Sequence, residues 1–227
     1  MSHHLVPNHH AGEGHFAGPV GFLLGFAMAL LGGANARVAA QAAAVGPRDR
    51  LVDIGCGPGT AARLAARRGA QVVRVDPAPM MRRIAGWLPP RALPIRWRDG
   101  LAERLPVDPD WATVVWSLLS VHHWPELPGG IAEAQRVLAP GGRFVIVEKR
   151  TQPGATGLAS HGWTPEQAGD FARMLLHAGF ATAEVSEVPA GRGTAMVVPP
   201  LKVNVTSGAT RNCLVKTTVT PLAAVTT

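Results

Sequence analysis

The chain has 227 residues, 47% of them hydrophobic and 16% charged, which excludes a disordered polypeptide and fits a single α/β domain with a substantial core. Its net charge of +7 arises from 22 basic and 15 acidic residues, and the basic side is mostly arginine scattered along the chain, so no nucleic-acid track is expected. The two cysteines, Cys56 and Cys213, give neither a disulfide framework nor a metal-spaced cluster and point to a reducing cytoplasm.

The N-terminal lead-in carries His3, His4, His9, His10 and His15 and reads as a flexible polar segment, not a metal site. Phe16 to Ala36 follows without a charged residue, long enough to raise a transmembrane or signal-peptide reading. No Lys or Arg precedes it, and five glycines with Pro19 dilute its hydrophobicity. It is therefore expected to form an apolar helix capping a ligand cleft, with peripheral membrane contact through 16–36 as the alternative.

Leu51 to Ile54 predicts a buried strand, Gly55, Gly57 and Gly59 a turn, and Ala61 to Arg68 a helix. Such a unit lets backbone amides approach a nucleotide-like ligand, because glycine has no Cβ in the way. The dinucleotide pattern G-x-G-x-x-G needs glycine at position 60, where this chain has Thr60. Asp53, two residues before the turn, suits a cationic group better than a pyrophosphate. Gln71 to Val75 predicts a second strand ending at Asp76, near the spacing at which α/β cofactor domains place an acid for ribose hydroxyls.

Met80 to Trp87 predicts a helix stopped by Pro89-Pro90, and Pro94 to Arg98 a strand followed by Asp99-Gly100. Trp111 to Ser117 reads as a buried parallel strand, with His122 and His123 just beyond it. Ile131 to Leu138 is amphipathic and ends at Pro140-Gly141-Gly142, after which Arg143 to Val147 predicts a strand running into Glu148. Thr164 as cap and Pro165 at the first position start a helix that reaches His177 and closes at Gly179. Ala181 to Val188 and Thr194 to Val198 predict a final β pair. Strands alternating with helices imply a doubly wound α/β sheet. The expected organisation is a lead-in and cap over 1–35, the α/β domain over 36–198, and a disordered or loosely attached hairpin tail over 199–227.

LVDIGCGPGT (51–60), VDPAPM (75–80), SVHHW (120–124), AEAQRVLAPGGRFVIVE (132–148) and the late HGWTPEQ…LLHAGF occur in family order. On these motifs the chain resembles the class I S-adenosylmethionine-dependent methyltransferases, especially the ubiquinone/menaquinone-biosynthesis-like branch of small-molecule enzymes. The resemblance implies a Rossmann-like seven-stranded sheet in order 3-2-1-4-5-7-6 with the last strand antiparallel. It implies S-adenosyl-L-methionine as cofactor, with Asp53, Gly55, Cys56, Gly57 and Gly59 around its methionine part. Asp76 would hold the ribose hydroxyls, with Pro77 and Met81 in the same cofactor set. Asp99, Gly100 and Leu101 would meet the adenine, and Ser117 would close the methionine side. The acid usual at the start of the fourth strand is replaced by Thr113, with Asp110 three residues earlier.

The implied activity is in-line transfer of a methyl group to a small, apolar molecule. A general base is needed only for an acceptor protonated at neutral pH. The candidates are His123 and His122, at the carboxyl ends of the strands where such sheets bind ligands, followed by Glu148 and His161. Trp116-Ser117-Leu118-Leu119 departs from the N-P-P-Y tetrapeptide of base-methylating enzymes, and no carboxylate or histidine cluster has the spacing of a magnesium site. No metal is expected. The alternative is a non-catalytic S-adenosylmethionine-binding regulatory or accessory protein. Thr60 and the lack of any Tyr disfavour an NAD-linked oxidoreductase.

Overall fold

Apolar runs bounded by glycine and proline become the strands of one sheet, and the amphipathic runs between them become its covering helices. The computed structural model describes residues 6–11, 32–87 and 93–202. Within these lie α1 (Gly33–Ala42), β1 (Arg50–Ile54), α2 (Thr60–Arg67), β2 (Gln71–Val75), α3 (Pro79–Trp87), β3 (Ile95–Arg98) and β4 (Ala112–Leu118). After them come α4 (Leu127–Val137), β5 (Leu138–Lys149), α5 (Pro165–His177), β6 (Ser186–Ala190) and β7 (Gly193–Lys202). The seven strands run β3-β2-β1-β4-β5-β7-β6, the order expected. β1 to β5 are parallel to one another, whereas β7 lies antiparallel to both β5 and β6.

Side-chain alternation divides the core into two layers. Leu51, Val72, Val114, Trp116 and Val145 face α1 and α2, whose inner surfaces are mostly alanine. Val52, Ile54, Val115, Phe144 and Ile146 face α4 and α5, where Ile131, Phe171 and Leu175 fill the space. This two-sided cover is why the strands read as continuous apolar runs.

Three expectations about element bounds change. Helix α4 starts at Leu127, because Glu126 caps it by accepting Gly129 N–H at 2.7 Å and Pro128 sits in its first turn. Pro128-Gly129-Gly130 resembles a turn in sequence, yet a Cβ on Gly130 would strike the Trp124 ring, so that glycine serves packing. Strand β5 absorbs Pro140-Gly141-Gly142 as an irregularity: Leu138 pairs with Ala112 and Arg143 with Val114. Strand β6 starts only at Ser186; Ala183 and Val185 are buried in the α4/α5 layer without a ladder partner, which explains the strand-like alternation before it.

The capping of α5 is as expected: Thr164 accepts from Gln167 N–H, Gln167 reciprocates, and Gly179 at φ 97° follows the helix. β7 runs four residues past Val198. The 203–227 tail and most of the apolar 16–36 segment lie outside the described residues. Among the described residues, no helix is long and apolar enough to cross a membrane.

Candidate functional site

The turn between β1 and α2 is held in a form only glycine adopts easily. Gly55, Gly57 and Gly59 have φ of 66°, 50° and 80°. A Cβ on Gly55 would run into Ser120 Oγ, and one on Gly59 into the Arg74 guanidinium. The end of β2 locks the turn in place. Asp76 accepts Gly57 N–H on one oxygen and Ala78 N–H on the other, both at 2.8 Å. Burial raises its carboxyl, and these two bonds oppose the rise. Arg63 donates to Pro58 O at 2.9 Å from the helix side.

Asp53 lies under the turn. Register aligns it with Arg74 on β2 and Trp116 on β4, and Arg74 in turn with Trp97 on β3, so the four side chains form one row facing α1 and α2. Only 1% of Asp53 is exposed, and its Oδ2 has no hydrogen-bond partner. Burial pushes its carboxyl up to about 7, against the pull of the Trp116 indole and Arg74. Burial also brings Arg74 down to about 10, so it stays cationic at neutral pH, with its guanidinium 3.1 Å from the Trp97 ring centre. The half-buried Cys56 thiol is pushed up by desolvation and by the carboxylates of Asp53 and Asp76. The charge expected to face a cofactor is thus enclosed in the sheet, beside Arg74 and Trp116.

The other expected cofactor residues gather at the adjacent strand ends. Arg82 ion-pairs with Asp99 and also donates to Asp76 O at 3.3 Å, tying the ends of β2 and β3 together. A Cβ on Gly100 would press on Pro106 and Val75 at 2.8 and 3.0 Å. Leu101, 46% exposed, is a rare large apolar side chain on the surface. Ser117 is fully buried at the end of β4, its hydroxyl without a partner. Pro77 is exposed, whereas Met81 belongs to the buried face of α3 with Ile84 and Ala85. Thr113 stands where the family's acid was missed: it donates to Asp49 Oδ1 at 2.8 Å and accepts from Arg50 N–H at 3.0 Å, and Asp49 ion-pairs with Arg143.

On the α4/α5 side the turn meets a wall of imidazoles. Glu148, fully buried at the end of β5, accepts Ser120 and Val121 N–H on one oxygen at 3.0 and 2.8 Å. Its other oxygen holds His122 Nδ1 at 2.8 Å. His123 lies beside His122, their ring centres 4.2 Å apart, and burial with the surrounding imidazoles brings its pKa down to about 3. It is neutral at pH 7 and a weak proton acceptor, which runs against the base role expected of it.

His9 and His10 belong to this wall, which corrects the reading of their segment as a flexible lead-in. His10 N–H donates to His122 O at 3.0 Å, and Pro7 O accepts the Trp163 indole N–H at 2.7 Å. Val6 O accepts from Gln167 and Trp124 O from Asn8, both at 3.1 Å. The His10 and His161 rings stack at 4.2 Å, tilted by only 8°. Sequence spacing carried no trace of this, since the partners lie 112 to 161 residues apart.

Residues 52–146 match a family model described as a methyltransferase domain. Over 112 residues the chain is 31% identical to the demethylmenaquinone methyltransferase of Tropheryma whipplei, covering 49% of this chain and 46% of that one. Over 99 residues it is 37% identical to the biotin biosynthesis bifunctional protein of Cellvibrio japonicus, covering 44% and 19%. The chain thus spans about half the length, or less, of these relatives. Among solved structures, it resembles a complex of the Haloferax volcanii Trm112 methyltransferase activator with a putative methyltransferase: TM-score 0.64, 19% identity, 80% of this chain and 94% of that one covered. It also resembles a putative S-adenosyl-L-methionine-dependent methyltransferase from Methanococcus maripaludis, with TM-score 0.61 and 18% identity over 82% and 94%. Strand order, glycine turn and matched stretch agree: over 52–146 the chain is similar to a methyltransferase domain, and its fold is that of S-adenosylmethionine-dependent methyltransferases.

Proposed function

We propose that this chain transfers a methyl group from S-adenosylmethionine to a protic group of a small molecule. The observation that carries the reading is the direct abutment of the glycine turn on the imidazole wall: Ser120, one residue after the left-handed Leu119, fills the space a Cβ on Gly55 would take, and His122 and His123 follow on the same turn. A donor cradled at the turn and an acceptor on the wall would be neighbours.

The residues present fit this cofactor. The buried, unpartnered Ser117 hydroxyl would meet the methionine part of the cofactor. Asp76 already takes two backbone N–H groups and keeps lone pairs for a vicinal diol. Leu101 offers an exposed apolar surface to an adenine face. Asp53 would act on the bound cation through the turn. When bound, the cofactor supplies an activated methyl group, so the protein's tasks are alignment and exclusion of water. Val6 to Ala11 contribute to the second task by covering the outer side of the imidazoles.

The apolar acceptor that the resemblance implies has no counterpart among the described residues of the imidazole wall. The described part of the acceptor side is imidazole-rich and favours a polar group on the molecule it receives. The test is calorimetric binding of S-adenosylmethionine, followed by incubation with a metabolite extract and mass detection of an added methyl. Binding with turnover supports the reading. Binding without turnover across broad extracts would favour the regulatory or accessory alternative, and no binding would refute both.

A further inference from the structure

Five imidazoles from three parts of the chain meet at the carboxyl edge of β4 and β5. His9 and His10 come from the N-terminal segment, His122 and His123 from the turn after β4, and His161 from the loop after β5. Burying imidazoles together costs solvation, and protonating them together adds repulsion, so packing alone does not account for the group. His122, His123 and His161 each bring one ring nitrogen within 4.8 Å of the other two. Three imidazoles holding a tetrahedral Zn²⁺ at ~2.0–2.1 Å space their nitrogens about 3.4 Å apart, so ring rotations of roughly 1 Å close the site.

Glu148 is the second observation. Two backbone N–H groups fix one of its oxygens, and the other takes His122 Nδ1. With a carboxylate there, Nδ1 carries the proton and Nε2 is the ligand atom. A carboxylate behind a ligating imidazole is the usual support for a bound metal. His9 is occupied otherwise, with Nε2 on Ser160 O at 2.9 Å and Nδ1 against the Gln167 amide at 3.1 Å.

We propose that His122, His123 and His161 form a binding site for a divalent transition metal, Zn²⁺ in the first instance, with Glu148 as the positioning residue behind His122. Three neutral imidazoles leave a fourth position for an exogenous oxygen or sulfur donor. That this donor is the protic group of the methyl acceptor rests on the function proposed above. In this arrangement the imidazoles serve as ligands, and the metal polarises the acceptor.

The experiment uses the full chain with His3, His4 and His15 changed to Gln, to remove competing N-terminal ligands, after dialysis against a chelator. Zn²⁺ is titrated by calorimetry, and Co²⁺ is added as a spectroscopic probe. One Zn²⁺ per chain at micromolar affinity or tighter, with intense visible bands of low-coordinate Co²⁺, is expected. His161→Ala, on an outer loop, should weaken binding at least 100-fold while circular dichroism stays unchanged. Glu148→Gln should weaken it about 10- to 100-fold at unchanged stoichiometry. No tight site, or a tight site indifferent to His161→Ala, overturns the proposal; affinity unchanged in Glu148→Gln removes Glu148 from it. S-adenosylmethionine binding, measured on the same samples, separates the two readings: donor binding without Zn²⁺ leaves only the methyltransferase, and Zn²⁺ without donor binding leaves only the metal site.

Discussion

Replacing Asp53 with Asn isolates the cost of a carboxylate held in the row of Trp97, Arg74 and Trp116. Burial raises this acid from 3.8 to about 7, so the folded chain keeps a proton that the unfolded chain releases. Stability from this group is therefore intact below the unfolded value and is lost as pH rises between 3.8 and about 7. The gap corresponds to roughly 4 kcal/mol above pH 8, of which about 1 kcal/mol is already lost at pH 4.5. Asn carries no charge at either pH but brings an amide N–H₂ group whose burial without partners costs about 1–3 kcal/mol. Asp53→Asn should thus gain about 1–3 kcal/mol at pH 8.5 and be neutral or destabilising at pH 4.5. Urea denaturation of both proteins at the two pH values measures this. The gain should differ by about 3 kcal/mol between them. A difference below about 0.5 kcal/mol, or one of opposite sign, would refute the account of a charge desolvated under the turn.

Three further outcomes are expected. Gly55→Ala forces a left-handed alanine and displaces Ser120 Oγ from the Trp124 indole N–H, 3.3 Å away; a loss of about 2 kcal/mol in chemical denaturation is expected, and wild-type stability would contradict it. Asp76→Ala leaves the N–H groups of Gly57 and Ala78 without their acceptor and should lower both the melting temperature and, by at least about tenfold, the affinity for S-adenosylmethionine; unchanged calorimetric affinity would remove Asp76 from the ribose site. Thr164→Ala removes the cap of α5 and should cost about 1 kcal/mol by thermal denaturation, with donor affinity unchanged.

The parts legible in the sequence are those whose physics is local. Glycine at 55, 57 and 59 is demanded by backbone angles within five residues, and Thr164-Pro165 caps a helix with its own neighbours. The apolar strands announced a sheet covered on both sides, although chain order alone does not pair β5 with β7; the family resemblance supplied that. Asp53 was legible as a charge but not as a direction. Its register with Arg74 and Trp116 decides which side of the sheet it faces, and register emerges only when strands pair. The imidazole wall was the least legible feature. His122, His123, Glu148 and His161 were legible one by one as base candidates, but not the contact of Glu148 with His122 Nδ1, 26 residues away, that joins them. His9 and His10 look like polar filler until Trp163 and Gln167 bind the backbone around them.

The short stretch Val6 to Ala11 bears on how a fragment of this protein should be cut. A boundary drawn around the matched stretch, 52–146, would keep the glycine turn, Asp76 and Asp99 while discarding His9, His10, Glu148, Trp163 and His161. Such a fragment would retain the glycine turn with its two acids and lose most of the imidazole wall. An affinity tag of consecutive histidines at the amino end would add rival imidazoles close to the native ones, so the carboxyl end is the better place for one.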